Sequence, residues 1–421
     1  MADQRRLTTR QVAARLGVKP ETVYAYVSRG LLGSRRGPGG RASTFDPDEV
    51  ERLAHRRRGR PGGGPAAARE QDAAGPVYSG VTLIEDDRYY YRGVDPIELA
   101  RRASFEEVAW WLWTADQRPG PPFAAPPDGL SAARAVGDAL PAQAGLVDRL
   151  RVAAVAAAAA DPVRFDLRPR TVAATARGLI ATFVDALPRR DGAPPSTQSG
   201  AVEGSIAARL WPRLTARPAD PHTVTALDTA LVLLIDHGLA ASTVTARAAA
   251  SARAHPYAVV SAALGAVEGP LHGAASGLAH RMLADVLERG AGPVVAEHLR
   301  AGRRLPGLGH RLYRTTDPRA QVLFERLAAV PEAAPVLAAA HAVTETAATH
   351  LPLPANVDLA LATLSVATEM PPEAGETIFA VARTAGWIAH ALEEYEERAL
   401  RVRVTGRYEG PPPPVPPPSL R

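Results

Sequence analysis

Three polar breaks in otherwise Ala/Leu-rich sequence carry side chains that could do chemistry together: GPLHG with His272, LPGLGHRLYRTTDPR with His310, and ANVD with Asp358. An acid and two histidines of this kind can activate a carbon acid. A carboxylate such as Asp358 takes a proton from carbon beside a thioester carbonyl, and a neutral histidine such as His272 hydrogen-bonds the enol oxygen that forms. His310 would then polarise an acceptor carbonyl for condensation. Tight turns between Leu305 and Arg319 place His310 on a short loop between helical segments.

At these residues the sequence resembles the citrate synthase family, whose motifs GP.HGGA, PG.GHR.Y...DPRA and PNVD are read here as GPLHGAASG, PGLGHRLYRTTDPRA and ANVD. The resemblance runs from about Val81 to Gly410. It takes in YRGVDPIELARRASFEEVAWWL, DHGLAASTVTAR, FAVARTAGWIAHALEE and RVTGRYEG. It implies an acyltransferase that condenses acetyl-CoA or propionyl-CoA with oxaloacetate, the acyl-CoA being a substrate and no cofactor being needed. Within it His272, His310 and Asp358 are the catalytic side chains. His237 and His310, with Arg319, Arg383 and Arg403, fall where the family binds substrate carboxylates, and Arg403 reaches into the partner's site of a homodimer. The loop of Leu305, Pro306, Gly307, Leu308 and Gly309 passes the CoA adenine, with Arg311 and Arg314 placed for its phosphates. The arginines make chemical sense on their own terms, because a planar guanidinium grips a carboxylate through two parallel hydrogen bonds and stays charged.

The sequence departs from the family pattern in three places. The FYSG that usually follows the aspartate is Leu359, Ala360, Leu361 and Ala362; the residues after His272 are Gly273, Ala274, Ala275 and Ser276; and the second arginine of the closing RPR is Thr405. His55, His222, His255, His280, His298, His341, His350 and His390 have no comparable setting and are read as structural or exposed. No His/Asp/Glu group has metal-ligand spacing, no Walker-type loop occurs, and GAGP at Gly290 reads as an ordinary turn. The chain has no cysteine, which excludes disulfides and thiolate chemistry.

The elements that must position these residues are mainly helical. VYSGVTLIEDDRYYYRGV alternates enough for a hairpin, and DPIELARRASFEEVAWWLW reads as two helices capped by Asp95 and Ser104. Trp110, Trp111 and Trp113 belong to core or subunit packing. Asp358 is expected to cap the helix LALATLSVATEM. The fold class is therefore mainly α, resembling the family's large helical domain (77–274 and 376–410) with a small helical domain (275–375) inserted and the site in the cleft between them.

Charge is concentrated at one end. Residues 1–60 carry fourteen cations against six acids, a net +8, so a chain of net +5 leaves −3 for the rest. A localised basic segment is the footprint of a polyanion partner. LTTRQVAARLGVKPETVYAYVSRGLL reads as a helix over Thr9–Leu16, a turn at Gly17 and a second helix opening at Pro20. That pattern, with the wing-like GSRRGPGGRASTF after it, resembles MerR-like or excisionase-like helix-turn-helix modules. Thr22, Tyr24 and Arg29 would face DNA, and Arg35, Arg36 and Arg41 would suit phosphates. This module spans 1–58, a Gly/Pro/Ala-rich linker follows over 59–76, and a polyproline-like tail closes the chain at 411–421. An alternative reading is a DNA-binding regulator that uses the helical body as a metabolite sensor. Met1–Arg10 is polar, and no apolar run nears the ~20 residues of a membrane span, so a cytoplasmic protein is expected.

Overall fold

The computed structural model describes residues 7–28, 32–36, 43–47, 49–50, 77–194, 204–269, 272–351 and 353–402. Arg29, Arg41, His55, Arg403, Thr405, the linker and the proline-rich tail lie outside them, as do the side chains of Arg35 and Arg36. The chain divides into two compact units, Met1–Ala73 and Ala74–Arg421.

In the first unit β1 (Leu7–Thr8), α1 (Thr9–Leu16), α2 (Pro20–Ser28), β2 (Ser34–Arg36) and β3 (Ser43–Phe45) follow in order. Thr8 and Gln11 form a reciprocal capping box at the start of α1, and Gly17 ends it in the left-handed region. Pro20 supplies the preset φ of a helix's first turn. The three strands make an antiparallel sheet in the order β1-β3-β2, the wing expected after a helix pair. Val12, Ala13, Val23, Leu32, Phe45 and Val50 form a core of their own. On α2, Tyr24 is exposed and Thr22 half-buried.

The second unit opens on a hairpin of β4 (Thr82–Glu85) and β5 (Arg88–Tyr91). Asp86 and Asp87 both have positive φ, 51° and 57°, as a type I′ turn requires. Next come α3 (Pro96–Arg102), α4 (Phe105–Thr114), α5 (Pro127–Asp138), α6 (Leu146–Ala160) and α7 (Pro169–Ala186). They are followed by α8 (Ile206–Leu214), α9 (Pro221–Leu234), α10 (Ala241–Ser251) and α11 (Pro256–Val267). The last helices are α12 (Ala275–Arg289), α13 (Ala291–Arg300), α14 (Pro318–Leu327), α15 (Ala334–Ala348), α16 (Val357–Ala367) and α17 (Ala374–Glu396). Asp95 and Ser104 cap α3 and α4, the latter in a capping box with Glu107. Trp113 is buried and donates its indole N–H to Ala385 O at 2.8 Å, while Trp110 and Trp111 pack half-buried on the same core.

α17 is apolar on nearly every side, so it can be satisfied only inside the fold. It packs against α7, α9, α10, α11 and α4. Gly386 lets it touch the end of α9, where any Cβ would stand 2.1 Å from Ile235 O. Arg383, His390 and Glu394 are buried in it too, and buried charge must be paired to be tolerated. Their partners define the site and its support.

Two expectations need correction. GAGP is not an ordinary turn: Gly290 alone, at φ 81°, separates α12 from α13. Asp358 does not cap α16; Asn356 does, accepting from Asp358 N at 2.9 Å and Leu359 N at 3.4 Å. A capping side chain folds forward onto N–H groups two or three residues ahead, so the cap must precede the helix. Asp358, second in the helix, keeps its carboxylate for something else. Among the described residues no single helix is long and apolar enough to cross a membrane, and no group of His, Asp or Glu is placed to hold a metal ion.

Candidate active site

The loop carrying His310 and the start of the helix carrying Asp358 are tied together by backbone. Leu308 and Ala355 form an antiparallel bridge. Gly309 N–H donates to Pro354 O (2.7 Å) and Asn356 N–H to Gly307 O (2.9 Å). The amide of Asn356 adds a bond to Gly309 O at 2.8 Å. Gly307 sits at φ 79° with Leu359 so close that a Cβ would lie 2.7 Å from it, so only glycine fits. Leu305 and Leu308 are buried, Pro306 is half-buried, and Arg311 and Arg314 point outward. Asp87, at the hairpin tip, anchors the far end of the loop by accepting from Arg314 N, Thr315 N and Thr315 Oγ.

His237, His310, Tyr313 and Arg319 meet in one cluster. His237 Nε2 lies 2.6 Å from the Tyr313 hydroxyl, and its ring centre is 5.2 Å from that of His310. His310 Nδ1 accepts from Leu312 N–H at 3.0 Å. In a neutral ring this puts the proton on Nε2, yet Nε2 faces Arg319 Nη2 at 3.3 Å. Two donors thus point toward one another's neighbourhood, an arrangement suited to gripping a shared oxygen acceptor. Burial, then the Arg319 charge, holds His310 down at about 4; burial and the Arg319 and Arg383 charges push His237 far below its ordinary value. Both rings are neutral donors at working pH.

Arg319 is held by Asp317, which accepts from its Nε at 3.0 Å and Nη2 at 2.8 Å. Both residues are buried. Burial would raise the Asp317 carboxyl, but the Arg319 guanidinium outweighs it and keeps the acid ionised. Asp317 also accepts from Val357 N–H at 3.0 Å, so one carboxylate fixes both the arginine and the first turn of α16. Arg383 enters from α17, anchored by Nε to Leu234 O (2.8 Å) and stacked 4.5 Å from the Phe379 ring centre.

Asp358 occupies the first turn of α16 with Leu359, Ala360, Leu361 and Ala362 wholly buried behind it. Burial pushes its carboxyl up to about 6, with Arg319 opposing and Asp317 adding to the rise. It is thus ionised near neutrality but still basic. His272 packs edge-on to Phe379, ring centres 5.6 Å apart. Its Nε2 is 2.8 Å from Ser242 Oγ, which accepts from Trp387 Nε1 at 3.3 Å. Ser242 can donate its own proton to Nε2, and the ring proton then sits on Nδ1. Burial and the Arg383 charge lower the His272 pKa, which keeps that ring neutral as well.

The profile described as Citrate synthase, C-terminal domain, matches residues 75–404, and a Helix-turn-helix domain profile matches residues 6–58. The chain belongs to the citrate synthase family. It is a citrate synthase-type enzyme whose N-terminal module is of the helix-turn-helix class. Among its relatives, citrate synthase of Haloferax volcanii is 32% identical over 361 residues, covering 79% of this chain and 93% of that protein. Citrate synthase 2 of Bacillus subtilis is 29% identical, covering 79% and 93%. In fold the chain resembles the Thermoplasma acidophilum citrate synthase, solved as a ternary complex with carboxymethyl coenzyme A and oxaloacetate. That likeness has a TM-score of 0.67 at 24% identity, over 84% of this chain and 98% of the other.

The family motifs therefore come together: His237, His310 and Arg319 share one cluster with Tyr313, His272 lies against Phe379, on which Arg383 stacks, and Asp358 follows directly on Val357, whose N–H is held by Asp317, the partner of Arg319. Several contributors went unread in the sequence. Asp317 had a signal, since Asp before Pro at a helix start is a cap, but nothing local says that it also holds Arg319 and α16. Tyr313, Ser242 and Phe379 gave no sign of their contacts with His237 or His272, which come from distant stretches of the chain.

Proposed function

We propose that the enzyme condenses acetyl-CoA or propionyl-CoA with oxaloacetate, yielding citrate or 2-methylcitrate and free CoA. Asp358 takes a proton from the carbon beside the thioester carbonyl while His272 donates a hydrogen bond to the enol oxygen. That carbon attacks the keto carbon of oxaloacetate, whose oxygen accepts from His310. Arg319 and Arg383, with Arg403 of the partner subunit, grip the carboxylates, and water then hydrolyses the thioester to release CoA. Leu305–Gly309 would pass the adenine, with Arg311 and Arg314 free for its phosphates. The observation that carries this reading is that His310 and Arg319 present donors to one point, while Asp358, whose carboxyl burial raises, stands at the head of the helix that Asp317 ties to Arg319. A sensor without turnover would have no use for such an acid.

The segment 275–375 is proposed as the small domain that closes over the substrates, which would shield the enol from water. A second copy is proposed to cover α5, α6 and α10. Val136, Val155 and Val244 are exposed there, and a groove of about 760 Å³ runs past Val136, Leu140, Val152 and Val155. The cytoplasm fits such a substrate pair. Pure protein given oxaloacetate and acetyl-CoA is expected to release thiol, and the same assay with propionyl-CoA ranks the two. No release with either would refute the condensation.

The helix-turn-helix module is proposed to bind duplex DNA through α2 and its basic flank. The net +8 of residues 1–60 and the separate core support a self-contained module. A chain beginning at Ala74 is expected to fold, dimerise and keep its condensing activity while losing salt-sensitive affinity for DNA. If it is folded but inactive, the module must take part in the site or its assembly.

A further inference from the structure

Behind His237 lies a second polar layer that the reaction above does not use. Asp236, wholly buried, receives Thr82 Oγ (2.6 Å) and Gly238 N (2.9 Å) on one oxygen and His390 Nε2 (3.2 Å) on the other. His390 Nδ1 faces Arg247 Nη1 at 2.7 Å. A guanidinium can only donate, so Nδ1 must keep its lone pair and the ring proton belongs on Nε2, aimed at Asp236. Arg247, on α10 and 1% exposed, also bonds Glu394 through Nε and Glu393 through Nη1, both at 2.7 Å. Glu394 in turn holds Arg401 at 2.7 and 3.0 Å, and Leu400 N–H donates to Ser251 O at 2.7 Å. An unbroken row of bonds thus runs from the turn before His237 to residues 400–401, close in sequence to Arg403.

Buried ion pairs are weak sources of stability, because desolvating ions costs about as much as pairing them returns, so stability alone gives no reason for this row. What a polar row adds is direction. Each donor has one acceptor it can face, and Asp236 can hold Gly238 N–H and the adjacent His237 in only one orientation.

We propose that Arg247 and His390 are positioning residues for the oxaloacetate site: Arg247 sets the His390 tautomer, His390 fixes Asp236, and Asp236 fixes the turn that presents His237. This rests on the reading of His237 as an oxaloacetate ligand. The test uses the full-length protein with His390→Leu, His390→Gln and Arg247→Met. A glutamine amide offers Asp236 a donor and Arg247 an acceptor, whereas leucine offers neither. The Leu and Met variants are expected to raise KM for oxaloacetate by about 10- to 100-fold, the cost of a misplaced binding group. Their kcat and their KM for acyl-CoA should change little, and Gln should restore most of the loss. A merely structural role would lower the folded fraction and Tm without this split.

Histidine-selective ¹⁵N spectra give a readout that needs no substrate and, for the His390 tautomer, no variant. In the native protein the His390 ring should show a bare Nδ1 and a protonated Nε2, and the His237 ring signals should move in the Leu variant but not in Gln. A protonated Nδ1, unchanged KM in the Leu and Met variants, or a Gln variant as impaired as Leu would each overturn the proposal. If the native enzyme fails to bind oxaloacetate, the substrate assignment falls, and the ring spectra still decide the positioning.

Discussion

Asp358→Asn is expected to lower kcat by about 10²- to 10⁴-fold, the usual worth of a general base, while oxaloacetate affinity measured by calorimetry stays near the native value. The amide has the same shape but cannot take a proton. In the native enzyme kcat/KM should rise with pH through a midpoint near 6, since the base must be ionised and its carboxyl is pushed up to about 6. That limb should be absent from whatever activity the variant keeps. Stability should move the other way. An acid whose folded pKa lies above its unfolded value of about 3.9 favours the fold below that value and costs the fold more as pH rises to 6. The uncharged amide escapes that cost, so Asp358→Asn should melt higher than the native protein at pH 8 and alike at pH 4. Undiminished turnover, or a lower Tm at pH 8, would remove Asp358 from its assigned place.

Arg319→Leu carries the second large effect. It leaves Asp317 buried and unpaired, which costs about 3–5 kcal/mol of folding stability, to be read from urea denaturation. The carboxylate so released also holds Val357 N–H (3.0 Å) at the head of the base's helix. Arg319 is the charge that pulls Asp358 down, so any activity left in the variant should have its pH midpoint above 6. Oxaloacetate affinity should fall sharply because the substrate carboxylate loses its guanidinium. Replacing both members, Asp317→Leu with Arg319→Leu, should recover much of the stability but none of the affinity. If the single variant binds oxaloacetate normally, Arg319 is a structural ion pair and not a substrate clamp.

The sequence by itself determined a good deal here. The helical class, the hairpin, the caps Asp95 and Ser104, the helix-turn-helix with its turn at Gly17, and the three breaks holding His272, His310 and Asp358 were all legible. Each depends on neighbours within a few residues, where periodicity, turn chemistry and motif spacing carry the information. What only the tertiary structure decided is how those groups are charged and aimed. That Asn356 caps α16 and frees Asp358, and that burial raises the Asp358 pKa, depends on packing around the helix end. Asp317 joining Arg319 to Val357, Ser242 facing His272 across 30 residues, and Arg247 reaching His390 across 143 are contacts between distant segments. A histidine's tautomer and a carboxyl's pKa are set by whatever surrounds them in space. Residues brought together from different helices leave no periodic trace in the chain that supplies them.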